Sequence, residues 1–345
     1  MVAAAQHRRH KGAENVIPKT MRALQLESFD GPEGLHVREV PTPTPRAGQV
    51  LVKIRTAAVN PSDLMFLRGR YGVRREPPTI PGFEGCGDVV AAGSGLGALL
   101  VGRRVAVATQ GSFGTWAEYT VADASTCLPL RARISDAQGA MMLVNPLTAW
   151  ALIDRAIRDG RKGVLLNAAN SALGRMMIRT ARYRGLNVVA IVRSTQHVAA
   201  LQALGAQAVV VSEEADFADT LKEACAAHGC GIGFDAVAGK QTGQMLAALP
   251  RGARVLTYGA LSLEPVQVDV GTLLFGNRAV EGFWLTEWIR RRGMGTVIRA
   301  MVDIQTSLAD CMRTDIHATY AFADAAAGIR AYQDAMGAGK IVLKP

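Results

Sequence analysis

From about residue 160 the chain alternates short apolar runs with amphipathic stretches, and this rhythm restricts the fold more than any other feature. "GVLLNAA" (163–169), "LNVVAIVR" (186–193), "AQAVVVS" (206–212), "GIGFDAVAG" (231–239) and "ARVLTYGA" (253–260) read as buried strands. Between them "LGRMMIRTARYRG", "TQHVAALQALGA", "ADTLKEACAAHG" and "TGQMLAALPRG" carry helical spacing. Strands regularly separated by helices predict a doubly wound parallel sheet of α/β class. A further amphipathic helix is expected over 286–306, and the terminal "GKIVLKP" reads as a strand able to rejoin the front of the chain.

That front half has another pattern. "RALQL", "LHVREV", "VLVKIRTAAV", "RVAVAT" and "TWAEYTV" are short β-type runs divided by turn-rich connections such as "PTPTPRAG". Strands at this spacing without intervening helices point to a barrel or sandwich. With 345 residues, two units are expected. The expected division is 21–142 for the barrel-like unit, 143–309 for the parallel sheet and 310–345 for a return to the first unit. Residues 1–20 lack periodicity and read as a disordered extension, or as sequence upstream of a start at Met21.

The first strand–helix turn of a dinucleotide fold needs a tight bend, open access for the pyrophosphate and a helix N-terminus facing it. Here "NAANSALGR" (167–175) contains one glycine, Gly174, in the place where helix packs on strand. Ser171 and Ala172 stand where two more glycines are expected; both are small, and the serine hydroxyl can donate to a phosphate oxygen. Enzymes that select NAD place an acid about 20 residues further on, at the end of the second strand. This chain has Arg193 and Ser194 there, a cation and a hydroxyl that suit a 2′-phosphate, so NADPH is the expected cofactor.

The net charge of +10 suits a polyphosphate ligand as well as it suits a nucleic acid. No basic run is interleaved with aromatics, so nucleic acid is not the expected partner. No apolar run approaches the ~20 residues of a membrane span. Five scattered cysteines argue for a reducing, cytoplasmic setting over a disulfide framework. Cys225, His228 and Cys230 lie close in sequence but lack a second pair of ligands, so no metal is expected there.

The segment "AAVNPSDLMFLRGRYGVRREPPTIPGFEGCG" (57–87) resembles the medium-chain dehydrogenase/reductase superfamily, and the resemblance spans essentially Met21 to Pro345. It implies a GroES-like β-barrel catalytic domain joined to a Rossmann domain. Zinc-dependent members carry a cysteine and a histidine where this chain has Asn60 and Phe83. Neither side chain replaces a thiolate or imidazole on zinc, so a zinc-independent enzyme is expected. "NPSDLMFLRGRYG", "VNPLTAW", "NAANSALGR", "LTYGAL" and "GFWLTEW" are similar to mitochondrial-type trans-2-enoyl thioester reductases, which belong to the quinone-oxidoreductase-like branch.

On that resemblance Tyr71 matches the catalytic tyrosine. The residues matching the NADPH site are Asn145, Asn170, Ser171, Ala172, Leu173, Gly174, Val192, Arg193, Ser194, Tyr258, Gly259, Ala260, Leu261, Phe283, Trp284, Leu285 and Lys340. Ala172 and Ala260 depart from the family pattern, replacing common glycines. The implied substrate is an enoyl thioester, on coenzyme A or a carrier protein, and the implied assembly is a homodimer. A quinone or enone reductase on the same scaffold is the alternative. Phe283 and Trp284 would wall the nicotinamide or acyl channel, or serve as core; Arg290, Arg291 and Arg292 would meet carrier phosphates or form a solvated helix face. The role of Tyr71 is chemically reasonable. Reducing the double bond puts charge on the thioester oxygen and demands a proton, and a phenol, neutral at pH 7, can answer both needs.

Overall fold

The structure is a computed structural model and describes residues 16–109 and 113–345. Most of the extension expected over 1–20 therefore lies outside the described residues. No described helix is long and apolar enough to cross a membrane.

Alternating side chains build the front half. β1 (Thr20–Leu26) buries Met21, Leu24 and Leu26 and pairs antiparallel with β2 (Leu35–Pro41). Five more strands follow: β3 (Gln49–Ala58), β4 (Glu84–Ala92), β5 (Arg104–Ala108), β6 (Tyr119–Asp123) and β7 (Cys127–Pro129). The short helix α1 (Pro61–Phe66) and the loop after it link β3 to β4, while α2 (Asp136–Ala140) leads out of the unit. Leu24, Val52, Val107 and Trp116 share one apolar core, in which the Trp116 indole donates to the Ala58 carbonyl at 3.0 Å. Burial of each such side chain stabilises by about 1.5–3 kcal/mol.

After α3 (Val144–Arg158) come β8 (Gly163–Leu166), α4 (Ala172–Tyr183), β9 (Asn187–Val192), α5 (Val198–Leu204), β10 (Ala208–Val211), α6 (Phe217–Ala227) and β11 (Cys230–Asp235). The unit continues through α7 (Lys240–Ala248), β12 (Arg254–Thr257), α8 (Val270–Leu274) and β13 (Ala279–Gly282). All six strands are parallel, in the order β10-β9-β8-β11-β12-β13. The expected doubly wound sheet is present. Successive residues feed opposite faces: Leu166, Val188 and Ala190 pack with α3 and α4, whereas Leu165, Val189 and Val255 pack with α6 and α7. Strands covered on both sides explain the near-continuous apolar runs.

The helix expected over 286–306 is two helices, α9 (Leu285–Arg292) and α10 (Met294–Thr306). Gly293, at φ +76° and ψ 157°, breaks the hydrogen-bond ladder between them. The run "TWAEYTV" is strand only from Tyr119 onward, and the segment "EGCGDVVAA" forms β4, a strand the sequence pattern did not predict. At the end of the chain β14 (Ile316–Ala321), α11 (Ala325–Asp334) and β15 (Lys340–Lys344) return to the front, as expected. β15 lies between β14 and β3, so the chain's last residues complete the first sheet.

Candidate active site

Strand order reverses between β8 and β11, and ligands of open α/β sheets bind at such a point, beyond the carboxyl ends of the strands. The loop from β8 enters α4 through Ser171, whose hydroxyl accepts the Gly174 N–H at 3.0 Å and leaves its own O–H to donate outward. At Gly174 an added Cβ would sit 2.6 Å from the carbonyl oxygens of Ala168 and Ala169, so only glycine lets helix and loop approach this closely. Ala172 and Leu173 open the helix, where unpaired N–H groups and the dipole favour an anion. Asn170 is held by Arg175, whose Nε and Nη2 donate to its side-chain oxygen at 3.0 and 2.6 Å. Val192 is buried at the end of β9; Arg193 and Ser194 follow it exposed.

Beyond β12 the Tyr258 N–H donates to the Asp235 carbonyl at 2.8 Å and the Leu261 N–H to Ala236 at 3.0 Å, which ties the turn Tyr258–Leu261, with Gly259 and Ala260, to the end of β11. The Tyr258 hydroxyl is buried without a hydrogen-bond partner, and burial pushes its pKa up. A partnerless buried hydroxyl after β12, a capped helix N-terminus after β8 and an exposed cation after β9 are donors of the kind that a phosphorylated dinucleotide needs.

Sequence reasoning missed the residues that brace this edge. Asp235 accepts the N–H groups of Val237 and Ala238 at 2.8 and 2.9 Å and the Thr242 hydroxyl at 2.6 Å. Asn167 donates to Asp235 at 2.6 Å and accepts from the Ala236 N–H at 2.7 Å. A buried aspartate inside "GIGFDAVAG" was the available signal.

The barrel faces the same edge through the loop after α1. The Tyr71 ring lies 4.9 Å from that of Phe83, and its hydroxyl accepts the Trp284 indole N–H at 3.4 Å. Burial raises the phenol's pKa, the Trp284 bond opposes this, and the nearby Asp63 charge adds to the rise. Tyr71 is thus a neutral donor at pH 7. Trp284 stands exposed just beyond β13, while Phe283 and Leu285 pack against the core cluster that includes Trp150. Asn145 sits buried in the first turn of α3. Arg290 and Arg291 both bind Glu287 on the exposed face of α9, which lowers that carboxyl to about 2, Arg290 contributing most.

Lys340 is enclosed. It is 1% exposed, and its ammonium donates to the Val59 carbonyl, to Asn60 Oδ1 at 2.7 Å and to the Tyr332 hydroxyl at 3.3 Å. Around it lie two fully buried carboxylates, Asp63 and Glu84. Burial pushes Asp63 up to about 7, against the pull of hydrogen bonds and Lys340. Glu84 is raised by the same cause. Among the described residues no group of three or more His, Cys, Asp or Glu side chains is arranged to hold a metal ion.

Residues 46–132 match the family model for the alcohol dehydrogenase GroES-like domain, and residues 172–303 that for zinc-binding dehydrogenase. Over 275 residues the chain is 32% identical to the mitochondrial enoyl-[acyl-carrier-protein] reductase of Caenorhabditis elegans, covering 77% of this chain and 78% of that protein. The chain belongs to the medium-chain dehydrogenase/reductase superfamily. Two solved members of the superfamily share its whole architecture. A Mesorhizobium loti protein described as a candidate NADPH:quinone reductase is 34% identical, with a TM-score of 0.88 over 96% of this chain and 100% of that one. The quinone oxidoreductase of Thermus thermophilus, also solved with NADPH, is 30% identical, with a TM-score of 0.79 over 94% and 100%. These relatives place the chain in the quinone-oxidoreductase-like part of the superfamily, with a GroES-like and a Rossmann-type unit.

Proposed function

We propose that this medium-chain reductase uses NADPH to reduce the carbon–carbon double bond of a trans-2-enoyl thioester, without zinc. The observation that carries the reading is the meeting of Tyr71 with Trp284, a barrel phenol held against the carboxyl edge of the nucleotide-type sheet. The similarity to enoyl-[acyl-carrier-protein] reductase supports the substrate class. NADPH, when bound, supplies the hydride that reaches the β-carbon.

The remaining steps belong to the chain. Ser171 and the first turn of α4 receive the pyrophosphate; Arg193 and Ser194 receive the 2′-phosphate. Asn145 and the Tyr258–Leu261 turn orient the nicotinamide end. The Tyr71 O–H donates to the thioester oxygen as charge gathers there and provides the proton that completes the α-carbon. Trp284 and Phe83 hold the phenol in place. Where zinc-dependent members carry metal ligands, this chain carries the Asn60 amide and the Phe83 ring, which supports a metal-free reaction.

The test is NADPH oxidation with trans-2-enoyl-CoA of several lengths. Tyr71→Phe is expected to slow turnover at least about 100-fold, in the range of general-acid effects, while the KM for NADPH stays within about twofold. The names of the M. loti and T. thermophilus neighbours favour a second reading, quinone or enone reduction, in which Tyr71 matters little. Turnover of quinones without turnover of enoyl thioesters would select it. A homodimer is part of the proposal: Leu261, Leu263, Val270, Leu274 and Phe275 expose apolar surface beside the edge strand β13. Sedimentation at micromolar concentration checks it.

A further inference from the structure

Three enclosed ionisable side chains, Asp63, Glu84 and Lys340, lie behind Phe83, out of reach of solvent, and they connect parts of the chain that are far apart in sequence. Glu84, on β4, receives the Asn60 side-chain N–H on Oε1 at 2.9 Å. Its Oε2 receives the backbone N–H groups of Leu143 and Val144 at 3.0 and 2.8 Å. Those two donors open α3 and have no partner within the helix. Asn60 can point its amide N–H at Glu84 because its oxygen is already committed to the Lys340 ammonium. Asp63 fixes the other side, accepting the N–H groups of Asn60 and Phe83 at 2.7 and 3.1 Å. β15, α1, β4 and α3 are thus joined by one relay from ammonium to amide to carboxylate to helix.

We propose that Lys340 and Glu84 are positioning residues: through Asn60 they hold the start of α3, which carries Asn145, in fixed relation to the barrel loop that carries Tyr71. This rests on the proposed reductase reading for its kinetic arm. Lys340 then acts as an internal counterion whose three donors are engaged by Val59, Asn60 and Tyr332. The relay would matter for rate because Asn145, on the α3 side, would orient the nicotinamide while Tyr71, on the barrel side, supplies the proton. A misplacement on the order of 1 Å between those sides costs up to about 100-fold in rate.

Three variants test it. Glu84→Gln keeps the volume but offers one acceptor oxygen to the three N–H groups that now share two. Lys340→Met keeps the stem and removes the charge, and Lys340→Arg restores a cation. Glu84→Gln and Lys340→Met are expected to lower kcat about 10- to 100-fold with the KM for NADPH within about twofold, and Lys340→Arg to recover part of the loss. In hydrogen exchange, Glu84→Gln is expected to speed deuterium uptake at the amides of residues 143 and 144 while β9 and β10 exchange as before. Unchanged kcat in both variants overturns the proposal. So does a tenfold rise in the KM for NADPH at constant kcat in Lys340→Met, which would return that lysine to the cofactor. Uniformly faster exchange also overturns it, since that is general loosening. A wild-type protein that reduces neither enoyl thioesters nor quinones would defeat the functional reading instead, and the exchange arm would still decide the relay.

Discussion

Arg193 directly follows β9 with its side chain in solvent and no carboxylate within ion-pair distance among the described residues. On the proposed reading, a cation left free at this strand end is available to a 2′-phosphate. Arg193→Ala is expected to raise the KM for NADPH about tenfold or more and to leave that for NADH nearly unchanged, as steady-state kinetics with both nucleotides will show. The placement of this residue was legible in the sequence because it depends on local position, one step past an apolar run. Ser171 and Gly174 were legible for the same reason. Glu84, Asp63 and Asp235 were not, because their roles are defined by partners that arrive from elsewhere in the chain. Lys340 meets Asn60 across 280 positions, and no spacing rule reaches that far. A lysine before a last strand reads as surface until the strand is seen to enter a sheet interior.

At the scale of single elements, the sequence was most informative where one face of a helix or strand had to be apolar. α4 shows this: Met176, Met177, Ile178 and Ala181 form the buried side and Ser171 the cap. Ser171→Ala removes an acceptor from the first turn and is expected to cost about 1 kcal/mol of stability, read as a lower denaturant midpoint at unchanged slope. The same variant also removes the hydroxyl offered to the pyrophosphate, so NADPH binding should weaken with it. The break between α9 and α10 escaped the reading because helical spacing continues across Gly293 on both sides. What interrupts the ladder is a backbone angle, and a glycine permits that angle without requiring it. β4 was hidden for a different reason. Its glycines, Gly85 and Gly87, dilute the alternation that marks a strand, and they are there because neighbouring backbone approaches within contact.

For the whole molecule, the change of rhythm near residue 160 was enough to separate a barrel-like front from a parallel sheet, and the expected strand return at the end was enough to join them. The way they join was not legible. The cleft is closed by a contact between Tyr71 and Trp284, and its two walls are tied by the buried polar groups behind Phe83. A chain ending at Gly339 loses β15 and Lys340 together. It is expected to show protease cleavage within residues 20–130 while 163–257 stays protected, and to have no reductase activity; mass spectrometry of the fragments checks the first point.

The position of β15 also sets a timetable. A ribosome delivers residues 20–130 long before it delivers Lys340, yet the first sheet lacks an inner strand until that residue emerges. The helix-covered sheet between residues 163 and 282 has every strand in hand earlier and can fold while synthesis continues. The half of the protein made first is therefore the half finished last, and until β15 is in place its strands β3 and β14 expose edges that a neighbouring nascent chain can pair with.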